Sequence, residues 1–199
     1  MCGIVGYVGE KQAANFLIDG LTKLEYRGYD SAGIAVFDGE KINVAKSVGR
    51  LAALKEKIKN NTPEGVMGIG HTRWATHGRP SDVNSHPHTD CSGKFAIVHN
   101  GIIENFMSLK EELIAKGHKF VSETDTEVVA HLIEDVYEGD FVEAVNKVLN
   151  RIEGSYSLAF MCQDYPDTLI CTKKDNPLVI GLGEGENFIA SDIPAIIAY

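Results

Sequence analysis

Apolar positions along the chain alternate between two spacings, and each switch marks an element. Cys2 to Val8 is a β-prone run punctuated by glycine, which predicts a strand buried early in the fold with the chain's end inside the structure. Ala14, Leu17, Ile18, Leu21 and Leu24 fall at helical spacing, and Gly28 with Asp30 closes that helix before the apolar run Gly33 to Phe37. Asp38-Gly39 separates two β-prone runs and predicts a type I′ hairpin, because glycine takes positive φ without steric cost. Leu51, Leu54 and Ile58 mark a short amphipathic helix. A strand from Val66 to Thr72 follows, then a long polar loop from Arg73 to Gly93. Loops of that length inside a folded domain usually carry function.

Downstream, Lys94 to His99 reads as a strand and Glu104 to Lys116 as a helix stopped by Gly117. Thr124-x-x-Glu127 has the form of a capping box opening a helix through Val136, and Phe141, Ala144, Val145 and Val148 give a further helix. Four β-prone stretches then follow: Ser155 to Met161, Thr168 to Thr172, Leu178 to Gly181 and Phe188 to Ser191. Ser191 to Tyr199 reads as a helix start without a stop signal, as expected of a chain cut from a longer protein. Short strands joined by hairpins and interrupted by paired helices predict an α+β fold, with two stacked antiparallel sheets and helices outside. No repeat, low-complexity tract or linker divides residues 1–199, so one domain is expected.

Composition narrows the function classes. A formal charge of −9 without a basic stripe argues against a nucleic-acid binder, since phosphate contacts need clustered Lys and Arg. The apolar runs are far shorter than the ~20 residues of a membrane helix, and the N-terminus lacks a secretory pattern. Cys2, Cys91, Cys162 and Cys171 show neither C-x-x-C nor a disulfide spacing, so a reducing, cytoplasmic location is expected.

Cysteine at position two has a chemical consequence. Removal of Met1 leaves a thiol and a free α-amine on one residue, with pKa values near 8.5 and about 7.7–8.0, so the amine can take the thiol proton, directly or through water. On its own, Cys2 is equally well read as a small buried hydrophobe. Its surroundings add more. Cys2-Gly-Ile-Val-Gly6 resembles the opening of the class II, N-terminal-nucleophile glutamine amidotransferases. Leu24-Glu-Tyr-Arg-Gly-Tyr-Asp-Ser-Ala-Gly-Ile-Ala35, Gly70-His-Thr-Arg-Trp-Ala-Thr-His-Gly78, Ser85-His-Pro-His88, His99-Asn-Gly-Ile-Ile-Glu-Asn105 and Glu123-Thr-Asp-Thr-Glu127 resemble, in order, the glutaminase half of the glucosamine-6-phosphate synthases within that class, as does Ser191-Asp-Ile-Pro-Ala195.

The resemblance implies an N-terminal-nucleophile hydrolase fold, a four-layer αββα sandwich, in which Cys2 attacks the side-chain amide of L-glutamine. It casts Asn100 and Gly101 as donors to the tetrahedral oxyanion, Arg73 as the clamp on the substrate carboxylate and Asp125 as the partner of its ammonium. Trp74, Thr76 and His77 belong to a segment that closes over glutamine, Trp74 gating ammonia passage; Arg27 braces the nucleophile's loop, and His86 with His88 holds the long loop in place. Without the resemblance the same residues read otherwise: Asn100-Gly101 as a turn closing a strand, Arg73 and Arg27 as solvated charges, Asp125 as a helix cap and Trp74 as core. His71, His77, His86 and His88 crowd one region, but the intervening Arg73, Trp74 and Pro87 match the amidotransferase pattern better than a ligand spacing, so no metal and no cofactor is expected.

In the full-length protein the resemblance implies a homodimer in which ammonia passes to an isomerase domain binding fructose 6-phosphate; that domain lies outside these residues, and the isolated domain is read as a monomer. Two alternatives stay open: the glutaminase domain of a purine-pathway amidotransferase or asparagine synthetase, which share the Cys-Gly-Ile opening, and a non-catalytic glutamine-binding domain.

Overall fold

Period-two alternation sorts the central strands onto two apolar surfaces at once, and that sorting builds the layers. In the computed structural model, which describes residues 2–75 and 77–199, β1 (Gly3–Val8) turns Ile4 to one face and Val5 and Tyr7 to the other. Val5 and Tyr7 meet α1 (Ala13–Lys23), which offers Ala13, Phe16, Leu17 and Leu21; Ile34 and Val36 of β2 (Ser31–Phe37) share that cluster with Leu51, Leu54 and Ile58 of α2 (Leu51–Ile58). Ile4 faces inward with Ala35 and Phe37, and with Met67 and Ile69 of β4 (Met67–Arg73). This inner layer packs on Ala96 and Val98 of β6 (Phe95–Ile103) and Ala159 and Met161 of β7 (Gly154–Cys162). The opposite faces of those strands, Phe95, Ile97, Leu158 and Phe160, bury α3 (Phe106–Ala115), α4 (Glu127–Val136) and α5 (Phe141–Leu149).

The order is therefore helix, sheet, sheet, helix, as expected. β3 (Ile42–Val48), β8 (Leu169–Lys174), β9 (Val179–Leu182), β10 (Asn187–Ala190) and the short β5 (His88–Thr89) complete a six-stranded sheet, β3-β2-β4-β1-β10-β9, and a four-stranded sheet, β5-β6-β7-β8. Every pairing of these strands is antiparallel. Full burial of a Leu, Ile or Phe contributes about 1.5–3 kcal/mol, and Phe95, Phe141, Phe160, Leu17, Leu21 and Ile34 are among the fully buried side chains.

Four expectations are corrected. β6 does not stop at His99 but runs through Asn100-Gly101 to Ile103, paired with β7 throughout, so that dipeptide is not a turn. Thr124 and Glu127 do not form a capping box: α4 begins at Glu127, whose carboxylate instead accepts the backbone N–H groups of Val121 at 2.8 Å and Ser122 at 2.7 Å. The β2–β3 hairpin forms at Asp38-Gly39, but positive φ is confined to Gly39 (101°), the pattern of a II′ turn, while Asp38 Oδ1 accepts the N–H groups of Glu40 and Lys41. The chain's last residues make only a 3-10 turn, Ile193–Ala195.

A polar knot lies between the sheets. His71 stacks on His86 with ring centroids 4.2 Å apart, and His86 meets His88 edge-on at 4.7 Å. The Thr126 hydroxyl lies 2.9 Å from both His86 Nε2 and His99 Nδ1, and Thr124 Oγ1 lies 3.1 Å from His88 Nε2. Burial favours the uncharged rings: it lowers His71 to about 3 and His99 to about 4, and drives His86 and His88 well below the ordinary range.

The unfolded chain protonates these rings near pH 6.5, so between that value and the lower folded ones it binds more protons than the native state does. Stability is complete above about pH 6.5 and is lost as pH falls, by up to about 1.4 kcal/mol per pH unit for each ring. Thermal melts should therefore give a Tm that is level from pH 8 to 7 and drops steeply between pH 6.5 and 5. A Tm unchanged across that window would show that these rings are not held neutral.

Candidate active site

The antiparallel pairing of β1 with β4 places Gly3 opposite Thr72, so Cys2, at the start of β1, comes up beside Arg73 and Trp74 at the end of β4. β6 of the second sheet brings Asn100 and Gly101 to the same point, and the stretch before α4 brings Thr124, Asp125 and Thr126. Together with Ser155, Asn176 and Pro177 they line a cavity of about 270 Å³, just below the ~300–1,000 Å³ of drug-sized ligand sites and suited to a compact metabolite.

Cys2 is fixed by its backbone and by its sulfur. Its carbonyl oxygen accepts Arg27 Nε at 3.0 Å and Asn100 Nδ2 at 3.1 Å. Arg27 is buried and in turn pairs with Asp192 at 3.1 Å, so it braces the nucleophile rather than lying in solvent. Sγ accepts the Trp74 N–H at 3.2 Å and lies 3.4 Å from the Trp74 carbonyl oxygen, within reach of its own S–H. Burial pushes the thiol pKa up, the Trp74 amide working against it. Burial thus favours the neutral thiol at this position.

The orientation of Asn100 is set by a histidine. His71 Nε2 lies 2.9 Å from the His99 carbonyl oxygen and 3.0 Å from Asn100 Oδ1; with two oxygens before it, that nitrogen carries the proton. Oδ1 therefore faces His71 and Nδ2 faces Cys2, with one N–H on the Cys2 carbonyl and a second left to serve the cavity. Gly101 beside it has φ 125°, and a Cβ there would stand 2.0 Å from the Ser155 carbonyl oxygen. Only glycine fits this strand position.

Opposite charges line the same cavity. Arg73, 3% exposed, donates from Nη2 to the carbonyl oxygens of His77 and, at 2.9 Å, Gly78. Its buried Nη1 has no partner among the described residues, an unsatisfied donor that a ligand oxygen would complete. Asp125, 4% exposed, accepts the Ile103 N–H on Oδ2 at 2.8 Å, while Oδ1 stands 4.0 Å from His77 Nδ1. A buried cation with a free donor and a buried carboxylate in one small cavity suit a zwitterion.

The structure thus brings Cys2, Arg27, Arg73, Trp74, His77, His86, Asn100, Gly101 and Asp125 to one cavity. Thr76 lies outside the described residues. Trp74 is not core: it is 48% exposed, edge-on to Tyr29 at a centroid distance of 5.4 Å. His86 reaches the cavity wall through its bond to Thr126. Sequence reading missed Thr124, Thr126, Ser155, Asn176 and Pro177. Both threonines lie inside the Glu123–Glu127 block, where Thr124 reads as a helix cap and Thr126 carries no signal of its own; Asn176 and Pro177 carry no local signal and arrive through the β8–β9 connection.

A family of glutamine amidotransferase domains matches residues 71–198. The glutamine–fructose-6-phosphate aminotransferase (isomerizing) of Caldanaerobacter subterraneus subsp. tengcongensis is 61% identical over 199 residues, all of this chain and 33% of that protein. Its Thermus thermophilus counterpart is 54% identical over the same span, again 33% of that protein. The chain therefore covers about a third of the length of these curated relatives. Among solved structures, the glutamine phosphoribosylpyrophosphate amidotransferase of B. subtilis superposes with a TM-score of 0.85 at 30% identity, covering 98% of this chain and 43% of that one. The match from β4 onward takes in the clamp, the β6 dipeptide and Asp125, and the fold agrees over nearly the whole chain: it belongs to the glutamine amidotransferase domain family.

Proposed function

We propose that this domain hydrolyses the side-chain amide of L-glutamine to glutamate and ammonia through a thioester on Cys2. The observation that carries this reading is the cavity itself: one small space lined by a thiol, a buried aspartate and a buried arginine whose Nη1 has no partner among the described residues. Glutamine carries the matching groups, a neutral amide joined through two methylenes to the carbon that bears a carboxylate and an ammonium.

With Met1 removed, the Cys2 α-amine takes the thiol proton and the thiolate attacks the amide carbon. The oxygen becomes an oxyanion, held by the spare Nδ2–H of Asn100 and the Gly101 N–H. Collapse breaks the C–N bond, the α-ammonium returns its proton to the leaving nitrogen, and ammonia departs. Water then attacks the thioester, releasing glutamate and restoring the thiol. Arg73 binds the substrate carboxylate and Asp125 its ammonium throughout, with His77 and Trp74 covering the bound amino acid.

The names of the relatives support a further reading: in the whole protein the ammonia aminates fructose 6-phosphate in a separate isomerase domain. Identities of 61% and 54% to the fructose-6-phosphate enzymes, against 30% to the phosphoribosylpyrophosphate enzyme, favour this acceptor over a purine-pathway one. Four free cysteines accord with a reducing cytoplasm, and among the described residues no helix is long and apolar enough to cross a membrane.

Cys2→Ala should reduce glutamate release to the buffer blank while the circular dichroism spectrum stays that of the parent. An electrophilic diazo-ketone analogue of glutamine should label the parent at Cys2 alone; labelling elsewhere, or turnover by the alanine variant, overturns the assignment. Arg73→Ala should raise the KM for glutamine roughly 10- to 100-fold with little change in kcat, since a charged contact made equally in ground and transition states acts on binding. Asn100→Ala should show the reverse, a kcat about 10²–10³-fold lower with KM little changed, because its spare N–H meets charge only in the transition state. Equal effects of both substitutions on KM would refute this division of roles.

A further inference from the structure

Away from the cavity, four side chains from three separate segments converge. Cys91 lies in the turn before β6, His118 just past the C-terminus of α3, and His131 and Glu134 one turn apart on α4. One potential ligand atom from each lies within 4.8 Å of all the others. His131 Nδ1 is 3.5 Å from Cys91 Sγ and 3.5 Å from Glu134 Oε2; His118 Nδ1 is 2.9 Å from the same Oε2. A zinc ion with bonds of about 2.0–2.3 Å in tetrahedral geometry separates its ligands by roughly 3.3–3.8 Å, so the quartet must open by a few tenths of an ångström along its shortest edge and close by up to about 1 Å along its longest.

We propose that Cys91, His118, His131 and Glu134 form a zinc-binding site. One thiolate, two imidazoles and one carboxylate make a borderline-soft, four-coordinate set that suits Zn²⁺ better than magnesium or calcium, which prefer oxygen. The groups behind these ligands fit the same chemistry. His131 Nε2 lies 3.5 Å from Glu127 Oε1, and His118 Nε2 lies 3.8 Å from Asp135 Oδ1, so each imidazole has a carboxylate behind the nitrogen that would not bind metal. The Lys119 N–H points to Cys91 Sγ at 3.3 Å, where it would stabilise a thiolate. Both histidines turn Nδ1 inward and back Nε2 onto carboxylates, the orientation that a metal bound through Nδ1 requires.

Binding forms four bonds to zinc and releases the Cys91 thiol proton to solvent. The proton between His118 Nδ1 and Glu134 moves through solvent to His118 Nε2, so neutral His118 binds through Nδ1 with its N–H facing Asp135. Cys91 is exposed, which gives the ion a path in. The site ties the 90–93 turn, the α3–α4 connection and α4 together. That connection carries Asp125, and its residues Val121 and Ser122 hold Glu127 from behind. The ion would therefore stiffen the arm that presents one end of the substrate cavity.

The test uses the chain in a Cys2→Ala background, which removes the other candidate thiol, stripped with a chelator and kept reduced by a phosphine. Zinc should bind with a stoichiometry of one and raise Tm by roughly 5–10 °C at 100-fold excess over its Kd. Cobalt(II) should give the visible absorption of a tetrahedral centre with a sulfur-to-metal charge-transfer band, and that band should vanish in Cys91→Ser, an exposed position, while the circular dichroism spectrum of the variant stays that of the parent. Glu127→Gln should weaken zinc by about 10-fold or more. No stoichiometric binding, or cobalt spectra identical with and without Cys91, would overturn the site without touching the glutaminase assignment.

Discussion

One oxygen atom, the carbonyl of Cys2, gathers donors from both sides of the sandwich. Arg27, from the segment after α1, and Asn100, from β6 of the opposite sheet, both donate to the carbonyl of Cys2. Apolar packing alone fixes the distance between stacked sheets but leaves them free to slide; a shared acceptor with directional donors does not. The position of the thiol is thus set by the same contacts that set the register of the sandwich. Those contacts run outward through Arg27 to Asp192 and inward through Asn100 to His71.

Behind that oxygen lies a polar interior built at some cost. Four buried histidines, two threonines, an arginine and an aspartate occupy space that the inner apolar layer would otherwise fill, and burial disfavours their charged forms. The histidines meet this by staying neutral and using Thr124 and Thr126 as common partners. Arg73 and Asp125 are charged and only partly matched by protein atoms, which is the arrangement expected where a ligand completes the pairing. The quartet around Cys91 stands at the far end of α4's first turns, so the Asp125 segment is anchored by the histidine knot on one side and by that quartet on the other.

Much of this was legible in the sequence because the strongest signals are local. Helical spacing in Ala14 to Leu24 and in Phe141 to Val148, and alternation in β1, β2 and β7, follow directly from which face each residue must bury. Cys2, Arg73, Asn100, Gly101 and Asp125 were legible through ordered motif blocks, not through any one residue. What could not be read was decided by tertiary partners. Asn-Gly is a turn signal wherever the chain is free to turn, but here β7 pairs with β6 on both sides of it and the strand continues. Thr124 and Glu127 have capping-box spacing, yet the carboxylate finds the amides of Val121 and Ser122 and the threonine finds His88. The quartet of Cys91, His118, His131 and Glu134 is scattered over 44 positions in irregular spacing, and only the packing of α3 on α4 brings it together.

Trp74 carries one more consequence. It is the chain's sole tryptophan, and it stands at the cavity mouth rather than in the core, half exposed and edge-on to Tyr29, with its backbone N–H on the Cys2 sulfur. No second indole contributes background, so the intrinsic fluorescence of this domain is an optical signal from a single locus. Changes in the emission colour and quantum yield of the untouched chain record what happens within a few ångströms of the nucleophile, without any attached dye.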